Sequence, residues 1–243
     1  MAYLKEGMVG RSLMMFTTRL WRLTAVAAVF AGTLKAQSTT KVSGQITILE
    51  RPGEVTEDLE NVVVYLESVG APARMRPPSP INTDIVLRSR QFSPRIRVVT
   101  VGSKVAFPNQ DPFSHNVFSK LNGGFDTGVY GRGKTHDNVF KDPGVYPLYC
   151  NVHPRMTAFV ITLNSPYFAQ AGSDGRFAVE NVPAGQYKMH VWHDRAAEKV
   201  KDVTVPAAGL ANVREQLDAR GYKYVQHKNK FGQDYTSATG DRY

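Results

Sequence analysis

Apolar residues recur along positions 42–205 in runs four to eight residues long. These runs are Val42–Leu49, Asn61–Leu66, Asp84–Leu87, Ile96–Val101, Lys104–Phe107, Val145–Cys150, Ala158–Leu163, Arg176–Val179, Tyr187–Trp192 and Val200–Val205. Some alternate apolar with polar residues and others are continuous, the signatures of half-buried and fully buried strands. Pro52-Gly53, Gly102-Ser103, Pro143-Gly144, Ser173-Asp174-Gly175 and Pro183-Ala184-Gly185 punctuate them as turns. Helical periodicity is confined to Leu210–Leu217, where a turn or two of helix is expected. The pattern predicts an all-β protein without βαβ crossovers. Gly70–Pro80, rich in Pro and Arg, reads as a loop or linker, and the polar tail from Arg220 as irregular.

Upstream, Arg19 and Arg22 precede the apolar run Leu23–Leu34. That run has the length of a signal-peptide core and is shorter than the roughly 20 residues that span a bilayer. Export with cleavage after Ala36 is expected, placing the mature protein in a periplasmic or extracellular setting without a stable membrane span. Translation starting at Met8, Met14 or Met15 would suit that leader better.

Composition adds little until charge and cysteine are considered. The 243 residues are 42% hydrophobic and 21% charged, with a formal charge of +9. Five basic residues and one acid fall within residues 1–36, so the remainder carries only +5. It contains no Lys/Arg-rich run of the kind that binds nucleic acid. A single cysteine, Cys150, excludes intrachain disulfides and multi-cysteine zinc sites. In an exported chain an odd cysteine is reactive or occupied, and a metal bond would occupy it.

Cys150, His153 and Met156 form a C-x2-H-x2-M motif, and His115 lies 35 residues upstream. One thiolate, two imidazoles and a thioether are the donor set of a blue-copper electron-transfer site, whereas a thioether serves zinc poorly. Pro154 stiffens the loop, fixing its own φ and restricting His153. Taken singly, Cys150 could be a core thiol, His115 and His153 surface residues and Met156 core filler; jointly they favour copper. His190 and His193, an odd number of residues apart on an expected strand, project to opposite faces and make poor joint ligands. His136 and His227 receive no function. Ser114 beside His115 has no supporting acid, and no catalytic site is expected.

From about Thr83 to Leu163 the chain resembles the cupredoxins, most closely amicyanin and more loosely plastocyanin. The resemblance is carried by Phe92-Ser93-Pro94, Val98–Gly102, Val105–Asn109, His115-Asn116-Val117 and Phe140–Met156. It implies a Greek-key β-sandwich holding one copper ion through His115, Cys150, His153 and Met156. It further implies that Asn116 ties the first-ligand segment to the cysteine loop, and that Tyr146 is a tyrosine corner. Residues 174–187, and less clearly 42–67, resemble carboxypeptidase regulatory-like sandwiches. The expected layout is a signal peptide (1–36), opening strands of a regulatory-like sandwich or extra cupredoxin strands (37–70), and a Pro-rich linker (71–82). The copper domain (83–164), the remaining regulatory-like strands (165–219) and the polar tail (220–243) follow. The function implied is a non-enzymatic one-electron carrier working with redox protein partners. Its port would be His153, ringed by Pro108, Pro154 and Phe113, and Lys120, Arg132, Lys134 and Arg155 could steer an acidic partner. Copper storage or delivery, and a metal-free binding module, are the alternatives.

Overall fold

The structure, a computed structural model, describes residues 39–70, 78–121 and 123–235. The expected signal peptide lies outside the described residues, as do most of the Pro-rich linker and the last residues of the tail. Two strands come first, β1 (Thr39–Leu49) and β2 (Val63–Ser68), separated by a short 3-10 turn at Leu59–Asn61. Ten strands follow: β3 (Asn82–Asp84), β4 (Val86–Arg88), β5 (Gln91–Ser93), β6 (Ile96–Thr100), β7 (Ser103–Pro108), β8 (His115–Ser119), β9 (Phe125–Tyr130), β10 (Thr135–Phe140), β11 (Gly144–Tyr149) and β12 (Thr157–Leu163). The last five are β13 (Phe168–Gln170), β14 (Arg176–Pro183), β15 (Gly185–Trp192), β16 (Lys199–Val205) and β17 (Leu210–Asp218).

The fold is all-β and its strands sort into two sandwiches. The middle ten build one, from a five-stranded sheet ordered β6-β12-β11-β8-β9, a three-stranded sheet β10-β7-β3 and the β4–β5 hairpin. The first two and last five strands build the other, from sheets β14-β1-β17 and β13-β2-β15-β16. Val64 pairs with Val191 and Ala169, and Ile46 with Glu215, so the strands before residue 70 join the flanking sandwich and not the middle one.

The expected helix at 210–217 is instead β17, lying parallel to β1. In Leu210-Ala211-Asn212-Val213, two apolar residues three apart imitate a helical face, while the ladder with β1 supplies the hydrogen bonds. Gly44 permits that approach: a Cβ there would stand 2.0 Å from the Val213 carbonyl oxygen.

Period-2 geometry explains why several runs are continuously apolar. On β12, Ala158 and Val160 enter the core of the middle sandwich, while Ile161 and Leu163 face the other way. On β2, Val64 and Leu66 fill the flanking core and Val63 faces outward from it. Val63, Ile96, Val98, Ile161, Leu163 and Trp192 meet as a third apolar cluster, so two sheets are each buried on both faces where the sandwiches stack. Fully burying each such side chain is worth roughly 1.5–3 kcal/mol. The junction also carries an ion pair, Arg95 to Asp194, with an Nη–Oδ distance of 2.9 Å. No helix among the described residues is long and apolar enough to cross a membrane.

Candidate metal centre

The cysteine strand β11 lies between β12 and β8 in the five-stranded sheet. Cys150 follows directly on β11, and His115 opens β8, all five of whose residues are buried. Between Cys150 and β12 the chain makes a tight loop. Its closure comes from the Cys150 N–H donating to the Met156 carbonyl at 3.3 Å and the Met156 N–H to the His153 carbonyl at 3.1 Å. Pro154 is half-buried at the turn of this loop. Met156 is 2% exposed and shares the middle core with Cys150.

Three donor atoms converge. The Cys150 Sγ is 3.8 Å from His115 Nδ1 and 3.5 Å from His153 Nδ1, and the two nitrogens are 3.1 Å apart. A point about 2.0 Å from all three atoms lies at the centre of this triangle, within the range of metal–imidazole bonds. Among the described residues this is the one group of three or more His, Cys, Asp or Glu side chains brought close enough to hold an ion.

His115 is held by a residue that sequence reasoning did not single out. Asp111 Oδ2 lies 2.7 Å from His115 Nε2, and both side chains are buried. The carboxylate also accepts from the Ser89 N–H at 2.6 Å and the Arg90 N–H at 3.0 Å. Burial raises the Asp111 pKa, but these bonds outweigh it and leave it below the ordinary carboxylate range. An ionised acceptor fixes the imidazole tautomer: Nε2 carries the proton and the Nδ1 lone pair faces the sulfur and His153. Ser89 and Arg90 both have positive φ, 54° and 56°, the two-residue turn of the β4–β5 hairpin. That turn aims two consecutive N–H groups at one carboxylate. No short motif announces Asp111, because its role depends on this distant hairpin.

The environment sets protonation. Burial pushes the Cys150 thiol up, opposed by backbone N–H groups of Asn116, Val152 and His153 directed at the sulfur. Those N–H groups suit a thiolate, and metal binding would release the thiol proton. His153 is pushed down to about 4, by burial first and then by His115 and Arg90. Burial likewise lowers His115, against the pull of Asp111. Both imidazoles are therefore neutral near pH 7, as ligands must be. The Phe113 ring caps the pair, 5.3 Å from the His115 ring and 5.4 Å from that of His153, with the Arg90 guanidinium 5.1 Å above it.

The Asn116 side-chain amide donates to Asp126 Oδ1 at 2.6 Å and the Gly128 carbonyl at 2.9 Å. Its link to Cys150 is through its backbone N–H. The Tyr146 hydroxyl donates to the Asp142 carbonyl at 2.9 Å, and Tyr187, which sequence reasoning passed over, repeats this in the flanking sandwich by donating to Pro183 at 2.8 Å. His190 stacks on Tyr65 at 4.4 Å, and His193 is buried with its Nδ1 accepting from the Arg195 N–H at 3.1 Å. Both sit in the flanking sandwich. His136 packs its ring against Tyr130, and His227 stacks on Tyr149, the residue before the cysteine, at 4.4 Å.

No curated protein matches the chain in sequence. The sequence profile described as polysaccharide lyase family 4, domain II, matches residues 156–213, which run from the end of the ligand loop through β12 into β17. Among solved structures, a novel purple cupredoxin from Nitrosopumilus maritimus is similar over 33% of this chain and 99% of its own, at 26% identity and a TM-score of 0.31. The oxidized state of an amicyanin point variant is similar over 33% of this chain and 81% of its own, at 20% identity and a TM-score of 0.32. A reduced amicyanin variant is similar over 36% of this chain and 92% of its own, at 19% identity and a TM-score of 0.32.

Proposed function

We propose that this protein is an exported cupredoxin that binds one copper ion through Cys150, His115, His153 and Met156 and carries single electrons between redox proteins. The observation that carries the reading is the convergence of one thiol and two neutral imidazoles on a common point, with His115 oriented by a buried carboxylate. Zinc is a poorer fit, because its sites prefer four good donors and the residue completing this loop is a methionine. Copper bound there would supply a one-electron couple. The chain's own contribution is stiffness: a loop closed by two backbone bonds and Pro154, and an imidazole anchored at its far nitrogen, leave little room to rearrange when the charge changes.

His153, half-buried beside Phe113 and Pro154, is the proposed port for electrons. Lys120, Arg132, Lys134 and Arg155 are exposed and are proposed to steer an acidic partner. The flanking sandwich, whose sequence resembles carboxypeptidase regulatory-like domains, is proposed as a non-catalytic support for partner docking or surface attachment. Copper delivery is disfavoured by the complete burial of Cys150 and His115, since handover needs ligands that a recipient can reach.

Voltammetry of the copper-loaded protein tests the carrier role. A reversible one-electron wave, with the metal retained through many cycles and against excess chelator, is expected. Loss of copper to the chelator on reduction would instead mark a delivery protein.

A further inference from the structure

After β17 the chain crosses from the flanking sandwich to the middle one. Its near end is pinned by Arg51, whose Nε donates to the Arg220 carbonyl at 2.9 Å and whose Nη2 donates to the Tyr222 carbonyl. Residues 223–226 are exposed. Beyond them, residues 227–235 form a self-supported loop. Asn229 Oδ1 accepts from the Phe231 N–H at 2.9 Å and the Gln233 N–H at 3.0 Å, and the Asn229 N–H donates to the Gln233 carbonyl at 2.9 Å. Irregular segments at the surface are loosely ordered unless something holds them, and residues 227–235 are held.

What holds it is the ligand strand, at three consecutive residues. Tyr149 stacks on the His227 ring at 4.4 Å and an interplanar angle of 25°. The Cys150 carbonyl accepts the Tyr235 hydroxyl at 2.8 Å. Asn151 Oδ1 accepts the Lys230 N–H at 2.8 Å. A fourth tie runs through β9: Lys230 Nζ pairs with Asp126 Oδ2 at 2.7 Å, and the other oxygen of that carboxylate holds the Asn116 side chain, whose backbone N–H faces the Cys150 sulfur. The two backbone bonds between Cys150 and Met156 close the ligand loop on itself, and these contacts add restraint from outside where the loop begins.

We propose that residues 227–235 are a positioning clasp for the ligand loop, with Tyr235 as its principal residue, fixing the Cys150 carbonyl and hence the sulfur in both the metal-free and loaded protein. None of these residues touches the donor atoms; they act through Tyr149, Cys150 and Asn151. The copper consequences rest on the proposed function, but the clasp itself is testable without metal.

The experiment is hydrogen exchange on the metal-free full-length chain, its Tyr235→Phe variant and a chain ending at Ala219. In Tyr235→Phe the Cys150 and Met156 amides should exchange about fivefold faster, the factor that one hydrogen bond of ordinary net worth represents. The shortened chain should exceed that factor, while amides of β1 and β14 keep their protection. A parallel arm loads each protein with copper and follows loss to excess EDTA, which should be several-fold faster in both variants. Unchanged exchange at Cys150 and Met156 in Tyr235→Phe overturns the clasp, even if the shortened chain fails to fold. If exchange responds as expected while the full-length chain takes up no copper, the clasp stands and the copper reading falls.

Discussion

Replacing Asp111 with Asn removes one charge and one acceptor atom from a buried carboxylate that serves three donors. Oδ2 receives His115 Nε2–H at 2.7 Å and Arg90 N–H at 3.0 Å, and Oδ1 receives Ser89 N–H at 2.6 Å. The amide can point its oxygen at only one of these sets. The cheaper orientation keeps His115 and Arg90 satisfied and sets an NH2 against the Ser89 N–H, at a cost of about 1 kcal/mol for the lost bond. The surviving bond to His115 falls from charge-assisted to neutral, roughly halving its strength, which adds about 1 kcal/mol. Urea unfolding of the metal-free protein should therefore show a loss of about 2 kcal/mol, or a fall in Tm of about 4–8 °C at this chain length. Copper affinity, measured by competition with a chelator of known strength, should fall by about 10–100-fold, because a neutral acceptor leaves His115 less basic and less firmly held. Unchanged unfolding and unchanged affinity together would refute the assignment of Asp111 as the anchor of His115.

Tyr187→Phe deletes the hydroxyl bond to the Pro183 carbonyl and should cost about 1 kcal/mol in denaturant unfolding, without altering copper uptake. Trp192, 9% exposed and 5.5 Å from the Phe159 ring at the junction of the sandwiches, should cost about 3–5 kcal/mol when changed to Ala in the same assay. Burial pushes the Glu215 carboxyl up, but bonds from Lys199 at 2.5 Å and Lys201 at 2.9 Å outweigh it and hold it below the ordinary range. A depressed folded pKa adds stability above the ordinary glutamate range and loses it as pH falls through the folded value. Glu215→Gln should therefore lower stability by about 1 kcal/mol at pH 7, with the gap to the parent closing on acidification; a gap constant from pH 7 to pH 3 would contradict the pairing.

The strands most legible in the sequence were those with dense apolar residues, and the C-x2-H-x2-M loop was legible because its donors lie within seven residues. Strands β8, β9 and β10 were not. In β8 all five residues of His115-Asn116-Val117-Phe118-Ser119 are buried, three of them polar, so hydrophobic alternation gives no sign of it. In β10 the opposite holds: Thr135-His136-Asp137-Asn138 are mostly exposed along an edge, and pairing with β7 alone makes them a strand. Asp111 and Tyr235 escaped notice for a different reason. Asp111 bonds His115 only four residues on, but the Ser89 and Arg90 N–H groups that orient its carboxylate are 22 and 21 residues upstream. Tyr235 meets the Cys150 carbonyl across 85 positions, and only the folded chain brings these groups together. His227, assigned no role, is half-buried against rings remote from it in sequence, Tyr149 at 4.4 Å and Phe118 at 6.4 Å.

Sulfur as the main donor to a copper ion is tested most directly by an optical titration. Adding Cu(II) to the metal-free protein should raise an intense visible band that saturates at one equivalent and is missing from Cys150→Ser. A protein that stays colourless at one equivalent, or a Cys150→Ser variant that colours equally, would contradict it.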